Sequence, residues 1–237
     1  MFETDPEETS TVSSDEWTER TAERAYYHRG RFFIKRSLRP SEYMTTLKGT
    51  TYVPRLGKER LQNEAASLQF IRNASNIPVP TLHASFEVDG AYFVVTEYID
   101  GSSMSELSED QKIGVQGELS QHLAILRQIK SNKTGGPSGI VIPPSRVVER
   151  TDKDMFWSQQ TADHQKYVFC HNDLSQQNII VDPCTLKIQA IIDWEYAGFF
   201  PQYFESLFYK RLGPSSAIGD EHDDVPELMS FLQTTEK

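Results

Sequence analysis

Cysteine and long apolar runs are both scarce in this sequence of 237 residues. The two cysteines, Cys170 and Cys184, are too few for a disulfide framework and favour a reducing compartment. No stretch reaches the roughly eighteen apolar residues that a membrane span needs. The acidic start at Met1 does not have the basic and apolar segments of a signal sequence. We therefore expect a cytoplasmic protein without a membrane-spanning segment.

Basic residues are also few. Lys and Arg number 24 against 34 Asp and Glu, and the formal net charge is −10 with a pI near 5.1. Nonspecific binding to nucleic acids or to anionic membranes requires a basic face. This composition therefore predicts neither a nucleic-acid partner nor a membrane partner, and it does not define an oligomeric state.

The most informative segment runs from His171 to Asn178 (HNDLSQQN) and is followed by Asp193 in the sequence IIDWE. Asp173 and Asn178 lie five residues apart on one loop, and their oxygens are hard ligands that suit Mg²⁺. Apolar runs on both sides of the loop predict strands that bring Asn178 close to Asp193. This pattern is typical of phosphoryl transfer. Asp173 would accept the proton of the acceptor hydroxyl, His171 would brace the loop, and Asn178 and Asp193 would hold the metal.

A second pair of charged residues supports the same chemistry. Residues 59–74 show helical periodicity, and Glu64 falls on the apolar stripe of that helix. A carboxylate on a core-facing stripe is costly unless a cation meets it, and Lys35 on the predicted strand at 31–38 is the candidate. Such a pair positions ATP phosphates in kinases. Most strand lysines and helix glutamates are solvated, however, so the pair gains its weight from the order of strand, helix and loop.

Three further elements follow from local signals. The capping-box spacing of Ser13 and Glu16 predicts a helix over residues 14–27. Strands at 83–88 and 91–99 flank Asp89-Gly90, a favoured hairpin turn. A long helix is predicted from 108 to about 130.

The segments CHNDL, NIIVD and IIDWEYAG, which lie within residues 170–198, resemble the aminoglycoside phosphotransferase-like (APH) family. That family is similar to the choline kinases and shares the two-lobed protein-kinase-like fold. The resemblance covers about residues 30–212. It implies an α+β fold with a small antiparallel-sheet N-lobe and a compact, mainly helical C-lobe. It also implies ATP, Mg²⁺ and a small hydroxylated substrate, with Glu97, Tyr98 and Ile99 flanking the adenine at the hinge.

On this basis we divide the chain into four parts. We expect residues 1–13, which are acidic and rich in Thr and Ser, to form a disordered tail. The N-lobe would span 14–97, the hinge 98–102 and the C-lobe 103–237.

The sequence departs from the family pattern at three places. A glycine-rich phosphate loop should precede Lys35, yet Gly30 is the one glycine between residues 14 and 31. Lys48, Arg55 and Lys58 could take its place, although solvated charge is the ordinary role of such residues. The catalytic loop has Asn172 and Ser175 where relatives commonly have Gly and His. The C-lobe is also short for building an acceptor pocket.

Other functions are open at this point. A catalytically weak or inactive kinase-like module that binds nucleotide or a protein would carry the same motifs. A hydrolase with Cys170 and His171 is disfavoured because neighbouring strand residues point apart. A metal site with His164, His171 and Asp173 is disfavoured because no second His motif with metal-ligand spacing accompanies His171. The short segment after Asp193 leaves no room for a long activation loop and favours a small-molecule acceptor. The acidic cluster at 220–224 would meet a cationic substrate or stay solvated.

Overall fold

The computed structural model describes residues 16–152 and 155–234, so the predicted tail at 1–13 lies outside the described residues. The helices are α1 Gly57–Ala74, α2 Glu109–Leu126, α3 Ser145–Val148 and α4 Val225–Gln233. The strands are β1 Trp17–Arg20, β2 Arg24–Arg29, β3 Phe32–Ser37, β4 Leu82–Val88, β5 Ala91–Glu97, β6 Ser102–Ser103, β7 Lys130–Ser131, β8 Tyr167–Cys170, β9 Ile179–Val181, β10 Ile188–Ile191 and β11 Gly198–Phe200.

Five strands form one antiparallel sheet in the order β1-β2-β3-β5-β4. Lys35 lies on the central strand β3, opposite Tyr26 of β2 and Val94 of β5. The predicted turn Asp89-Gly90 joins β4 to β5, and both of its residues have positive φ, 49° and 74°. That combination is the geometry of the tight hairpin turn expected from the sequence.

The first two strands occupy the positions where we predicted a helix from Ser14 to Tyr27, so that prediction is wrong for the described residues. Between β1 and β2 a turn forms because Thr21 Oγ1 accepts hydrogen bonds from the backbone N–H groups of Glu23 and Arg24, both at 3.1 Å. Six residues of β2 pair with β3. This pairing, together with the aromatic residues that favour strands, outweighs a local capping pattern.

Helix α1 carries Glu64 on its buried side, as the periodicity predicted. One side of the helix packs on β3 and β5, and the other packs on residues 194–196. Leu68 and Ile71 of α1 belong to the same apolar core as Leu119 of α2. Leu61 and Ala65 of the same helix pack with Val94 of β5 in a separate cluster. Helix α1 therefore contributes to the core of the sheet and to the core of the C-terminal half of the chain.

Helix α2 follows Ser108, which forms the N-terminal cap in a capping box with Gln111. The helix ends at Leu126, a few residues before the predicted end near Lys130. Two small sheets, β10-β9-β6 and β11-β8-β7, lie in the C-terminal half together with α2, α3 and α4. The α+β fold class predicted from the sequence is confirmed.

The small sheets position the catalytic loop. Residues 171–178 connect β8 to β9, and β9 pairs antiparallel with β10. Just beyond β10, the Ile192 N–H donates to the Asn178 carbonyl at 3.0 Å. Asp193 follows directly, so the predicted approach of Asn178 and Asp193 is present.

None of the helices in the described part of the chain has the length and apolar character needed to cross a membrane.

Candidate active site

A cavity of about 270 Å³ lies between the five-stranded sheet and the β9–β10 pair. The predicted site residues that line it are Lys35, Glu64, Glu97, Tyr98, Ile99 and Asp193. The larger apolar side chains that line it are Phe33, Leu68, Ile180 and Ile192. A slot with apolar walls and a few convergent polar groups is typical of a small-molecule or cofactor site.

The charged groups of this cavity meet at Lys35. Its Nζ donates to Glu64 Oε1 at 2.6 Å and to Asp193 Oδ1 at 2.8 Å. Burial disfavours the ammonium form, but the charges of Asp193 and Glu64 outweigh this effect and raise the pKa of Lys35. Burial likewise opposes ionisation of Asp193, yet Lys35 and Arg24 hold the pKa of Asp193 below its usual value. The expected pair of Lys35 and Glu64 is therefore formed, and Asp193 joins it.

Glu97, Tyr98 and Ile99 leave β5 at the edge of the cavity. The Glu97 carboxylate accepts a hydrogen bond from Thr81 Oγ1 at 2.8 Å. The Tyr98 ring stacks on His28 with the ring centroids 3.9 Å apart. Because these two side chains are held by neighbours, recognition of a base would fall to the backbone. A hinge role for the three residues stays a prediction.

Asp173 and Asn178 are in contact on the catalytic loop. Asn178 Nδ2 donates to the Asp173 carbonyl at 2.7 Å and lies 3.4 Å from Asp173 Oδ2. This leaves the amide oxygen of Asn178 as the atom that can ligate a cation. Burial, and then the negative charge of Asp193, raise the pKa of Asp173 to about 7. A carboxylate with such a pKa is suited to act as a general base near neutral pH.

His171 is fully buried, and burial lowers the pKa of its imidazole to about 4. In the neutral ring, Nε2 donates to the Ile192 carbonyl at 2.9 Å and Nδ1 accepts from the Asp173 N–H at 3.3 Å. The ring also packs on Trp194, with centroids 4.5 Å apart. His171 thus connects the catalytic loop to the chain on both sides of Asp193, which is the geometry of the predicted brace.

Two residues that the sequence analysis did not identify hold the loop from the other side. Glu205 accepts hydrogen bonds from the backbone N–H groups of His171 and Asn172. Burial raises the pKa of Glu205 to about 7. Arg146 donates to the Asn172 carbonyl at 3.3 Å and to both carboxylate oxygens of Asp224 at 2.8 Å. Asp224 of the acidic cluster therefore has a structural partner.

A buried ion-pair network extends from the cavity and was also missed. Glu195, two residues after Asp193, pairs with Arg24 of β2 and accepts from Arg60 Nη2 of α1 at 2.9 Å. Asn63 of α1 donates to the Glu195 carbonyl at 3.0 Å. These groups are between 0% and 8% exposed. The sequence motif Asp-Trp-Glu drew attention to the neighbourhood of Glu195. Its partner Arg24 was not recognised because it lies within the helix predicted over 14–27.

The basic residues proposed to replace a glycine-rich loop do not line the cavity. Lys58 pairs with Glu87 at 2.5 Å on the surface, and Lys48 lies in an exposed segment. Arg55 donates to backbone carbonyls of the C-terminal half. Where a glycine-rich loop was expected, the β1–β2 hairpin has the turn at Thr21.

The two other chemistries raised from the sequence find no support in the geometry. Cys170 is buried in β8, and burial raises the pKa of its thiol, which disfavours a reactive thiolate. Within residues 16–152 and 155–234, the group of potential metal ligands that lie close together consists of Glu64, Asp193 and Glu195, without a histidine.

A family model and two similar proteins match one part of the chain. Residues 124–205 match the family model described as Choline/ethanolamine kinase. "Probable choline kinase 1" of Arabidopsis thaliana is 32% identical over 71 residues, which are 30% of this chain and 19% of the relative. "Probable choline kinase 3" of the same plant is 32% identical over 73 residues, 31% of this chain and 20% of the relative. The matches thus cover about one fifth of these relatives' length.

Solved structures show the fold. A crystal structure of a thermostable mutant of aminoglycoside phosphotransferase APH(4)-Ia, in a ternary complex with ADP and hygromycin B, superposes with a TM-score of 0.51 at 14% identity. The match covers 81% of this chain and 70% of that one. The apo form of a thermostable mutant matches equally, at 0.51 and 14%, over 80% and 69% of the two chains. The resemblance inferred from the sequence is confirmed: the chain has the aminoglycoside phosphotransferase and protein-kinase-like fold, and its residues 124–205 match the choline/ethanolamine kinase family.

Proposed function

We propose that the protein is an ATP- and Mg²⁺-dependent phosphotransferase that transfers the γ-phosphoryl group to a hydroxyl of a small molecule. The observation that carries this proposal is that Lys35, Glu64 and Asp193 line one cavity, while Asp173 and Asn178 lie on the neighbouring loop, where the Asn178 carbonyl accepts from the N–H of Ile192 next to Asp193. Three of them meet at the Lys35 ammonium within 2.8 Å, and the other two touch on the adjacent loop. The fold match with a phosphotransferase that was crystallised with ADP supports a nucleotide in this cleft.

In this proposal the chain holds the nucleotide at two ends of the cavity. The backbone of residues 97–99 would contact the base, with Phe33 and Ile192 on its faces. Lys35 would contact the phosphates while Glu64 keeps its ammonium in place. The ammonium has three N–H donors, of which Glu64 and Asp193 accept two, so the third can donate to phosphate.

The residues present fit a magnesium ion. Asp193 offers a carboxylate that stays ionised, and Asn178 offers an amide oxygen because its Nδ2 is committed to the Asp173 carbonyl. Oxygen ligands of this type are those that Mg²⁺ prefers. When bound, the ion would neutralise charge on the phosphates. Glu64, Asp193 and Glu195 together also form a carboxylate-rich environment, which Lys35 and Arg24 balance.

The transfer itself needs a base beside the acceptor. The acceptor oxygen would form a bond to the γ-phosphorus while the bond from that phosphorus to the β,γ-bridging oxygen breaks. The hydroxyl proton would pass to the Asp173 carboxylate, and the products are a phosphate monoester and ADP. The pKa of about 7 makes Asp173 a competent acceptor for this proton at neutral pH. His171 acts by holding the loop and does not contact the reacting atoms.

Replacement of the base tests the proposal. Asp173→Asn should lower turnover by about 10²–10⁴-fold in an assay of ADP formation with a panel of small alcohols, because proton transfer loses its acceptor. Asp220→Asn, at an exposed position outside the cleft, is the matched control and should retain activity. Equal turnover in wild type and Asp173→Asn would contradict the assignment. Mg²⁺-dependent ATP binding without turnover of any alcohol would instead favour the non-catalytic kinase-like module.

A further inference from the structure

A second cavity, of about 630 Å³, lies on the other side of Asp173. Its lining includes Tyr52, Val53, Arg55, Asp173 and Glu195. The nucleotide cavity ends at Asp193, and carboxylate oxygens of Asp193 and of Glu195, which lines the second cavity, lie within 4.8 Å of each other. An acceptor that fills the second cavity would therefore place its hydroxyl between the proposed base and the phosphates.

One wall of this cavity comes from an unexpected part of the chain. Residues 43–56, which we call the interlobe insert, connect the strand of Lys35 to helix α1. The insert folds back on itself through a bridge between Thr45 and Thr51. The Tyr52 hydroxyl then donates to Glu23 on the turn between β1 and β2. The insert thus belongs to the N-terminal half of the chain but contributes to the cavity of Asp173.

Arg55 fixes the insert to the opposite half. Its Nη1 donates to the carbonyls of Val148 and Thr151 at 2.6 and 2.9 Å. Its Nη2 donates to the Met155 carbonyl at 3.1 Å, and the guanidinium lies 5.0 Å from the centre of the Trp157 ring. Bonds from one planar guanidinium to three carbonyls define both the position and the orientation of the attached backbone. Arg55 therefore holds the insert across the cleft, and the neighbouring Leu56 packs on the apolar cluster of Ile142, Val148 and Tyr196.

The charges around the cavity select against anions. Four carboxyl side chains line it, and the guanidinium groups that accompany them belong to Arg55 and Arg60. Both are already engaged, Arg55 with carbonyls and Arg60 with Glu23 and Glu195 at 2.9 Å. An acceptor that carries a phosphate or carboxylate would meet carboxylates without a cation free of other bonds. Binding of such an acceptor would cost free energy, because its anionic group would be desolvated and repelled by the carboxylates. An alcohol without anionic groups would avoid this cost.

We infer that the interlobe insert, anchored by Arg55, forms one wall of the acceptor pocket at Asp173, and that this pocket takes a small alcohol without anionic groups. The inference rests on the proposed function, since it assigns Asp173 as the base. Tyr52 and Val53 form the wall, and Arg55 is a positioning residue that does not touch the reacting atoms.

Removal of the anchor tests the inference. Arg55→Met preserves much of the side-chain volume but removes every donor to the carbonyls. It should raise the KM for an alcohol found active in the panel by about tenfold, since a misplaced wall weakens acceptor binding. The Kd of Mg²⁺–ADP, measured by calorimetry, should not change. Arg39→Met is the matched control, because Arg39 precedes the insert and donates to the Asp89 carbonyl at the far end of the sheet.

Hydrogen exchange measured on the complete chain gives a readout independent of turnover. Amides of residues 43–54 should exchange faster in Arg55→Met than in Arg39→Met or wild type. Equal exchange in the two variants would overturn the anchoring role whether or not the protein is an active kinase. Tyr52→Ala offers a second variant, which removes the wall and leaves the anchor, and it should raise the same KM.

The panel also tests the class of acceptor. Neutral polyols and amino alcohols should be turned over in preference to sugar phosphates and hydroxy acids. A preference for the anionic compounds would overturn the assignment of the pocket. Failure of the proposed function looks different, because wild type would then bind Mg²⁺–ADP and turn over no alcohol at all.

Discussion

The two sides of the cleft are built in different ways. On the nucleotide side, Lys35 and Glu64 stand on a central strand and on the helix that packs against it, and both are buried. On the proposed acceptor side, the wall consists of the interlobe insert, the turn of Glu23 and the short helix α3. Tyr52 bonds the insert to the turn, and Arg55 bonds it to the Val148 carbonyl of α3. Regular elements hold charges in fixed geometry, whereas loops carry the parts of a site that vary among proteins of one fold. The residues proposed for phosphate binding thus lie on regular elements, whereas the proposed acceptor wall consists largely of loop segments.

The largest expected effect lies on the nucleotide side. Lys35→Met should lower kcat/KM for ATP by about 10²–10³-fold, because it removes the cation that stabilises charge on the phosphates and leaves Glu64 and Asp193 without their shared partner. Steady-state kinetics with varied ATP would measure this loss. Lys58→Met, which removes an exposed pair with Glu87, is the control and should keep the wild-type value. Similar values of kcat/KM for ATP in Lys35→Met and Lys58→Met would contradict the role proposed for Lys35.

The next effect concerns the network that joins the halves. Glu195→Gln should lower the free energy of unfolding by about 3 kcal/mol, because Arg24 and Arg60 would keep their buried charges without the carboxylate. Urea denaturation followed by fluorescence would report the change. Glu221→Gln breaks an exposed pair with Arg211 and should change the stability little. An equally large loss of unfolding free energy in Glu221→Gln would show that burial does not determine how much these ion pairs stabilise the protein.

The smallest expected effect is a dependence of kcat/KM on pH, which tests the role of Asp173 as the base. Its folded pKa of about 7 lies above the usual 3.8, so the carboxylate form that acts as base is present only as the pH rises through about 7. We expect kcat/KM to fall about tenfold per pH unit below that value and to level off above it. A flat profile between pH 5 and 8 would exclude Asp173 as the base. The residual activity of Asp173→Asn should not show this decrease at low pH.

The predictable features were those with local periodicity or with adjacent motif residues. The strand of Lys35, the helix of Glu64 and the loop from His171 to Asn178 follow from patterns that each element carries within itself. The brace by His171 was inferred because it adjoins the loop that it supports. These elements needed no knowledge of distant contacts.

The features that were missed depend on partners far along the chain. The helix predicted over 14–27 was wrong because β2 gains its stability from pairing with β3, which no capping pattern reports. Arg60 meets Glu195 across 135 positions of sequence, and Arg55 meets the Val148 carbonyl across 93. The insert has neither helical nor strand periodicity, so its course was not predictable. A sequence shows which charges exist, but long-range pairing decides which of them meet.

Helix α1 contributes to the apolar cores of both halves and couples their unfolding. Leu68 and Ile71 pack with Leu119 beneath the cleft, and Asn63 ties the same helix to the chain that follows Asp193. A fragment that ended at the hinge would present these apolar groups to water and would lose its chief support. The β-sheet half is consequently no autonomous folding unit, and heat should melt both halves together.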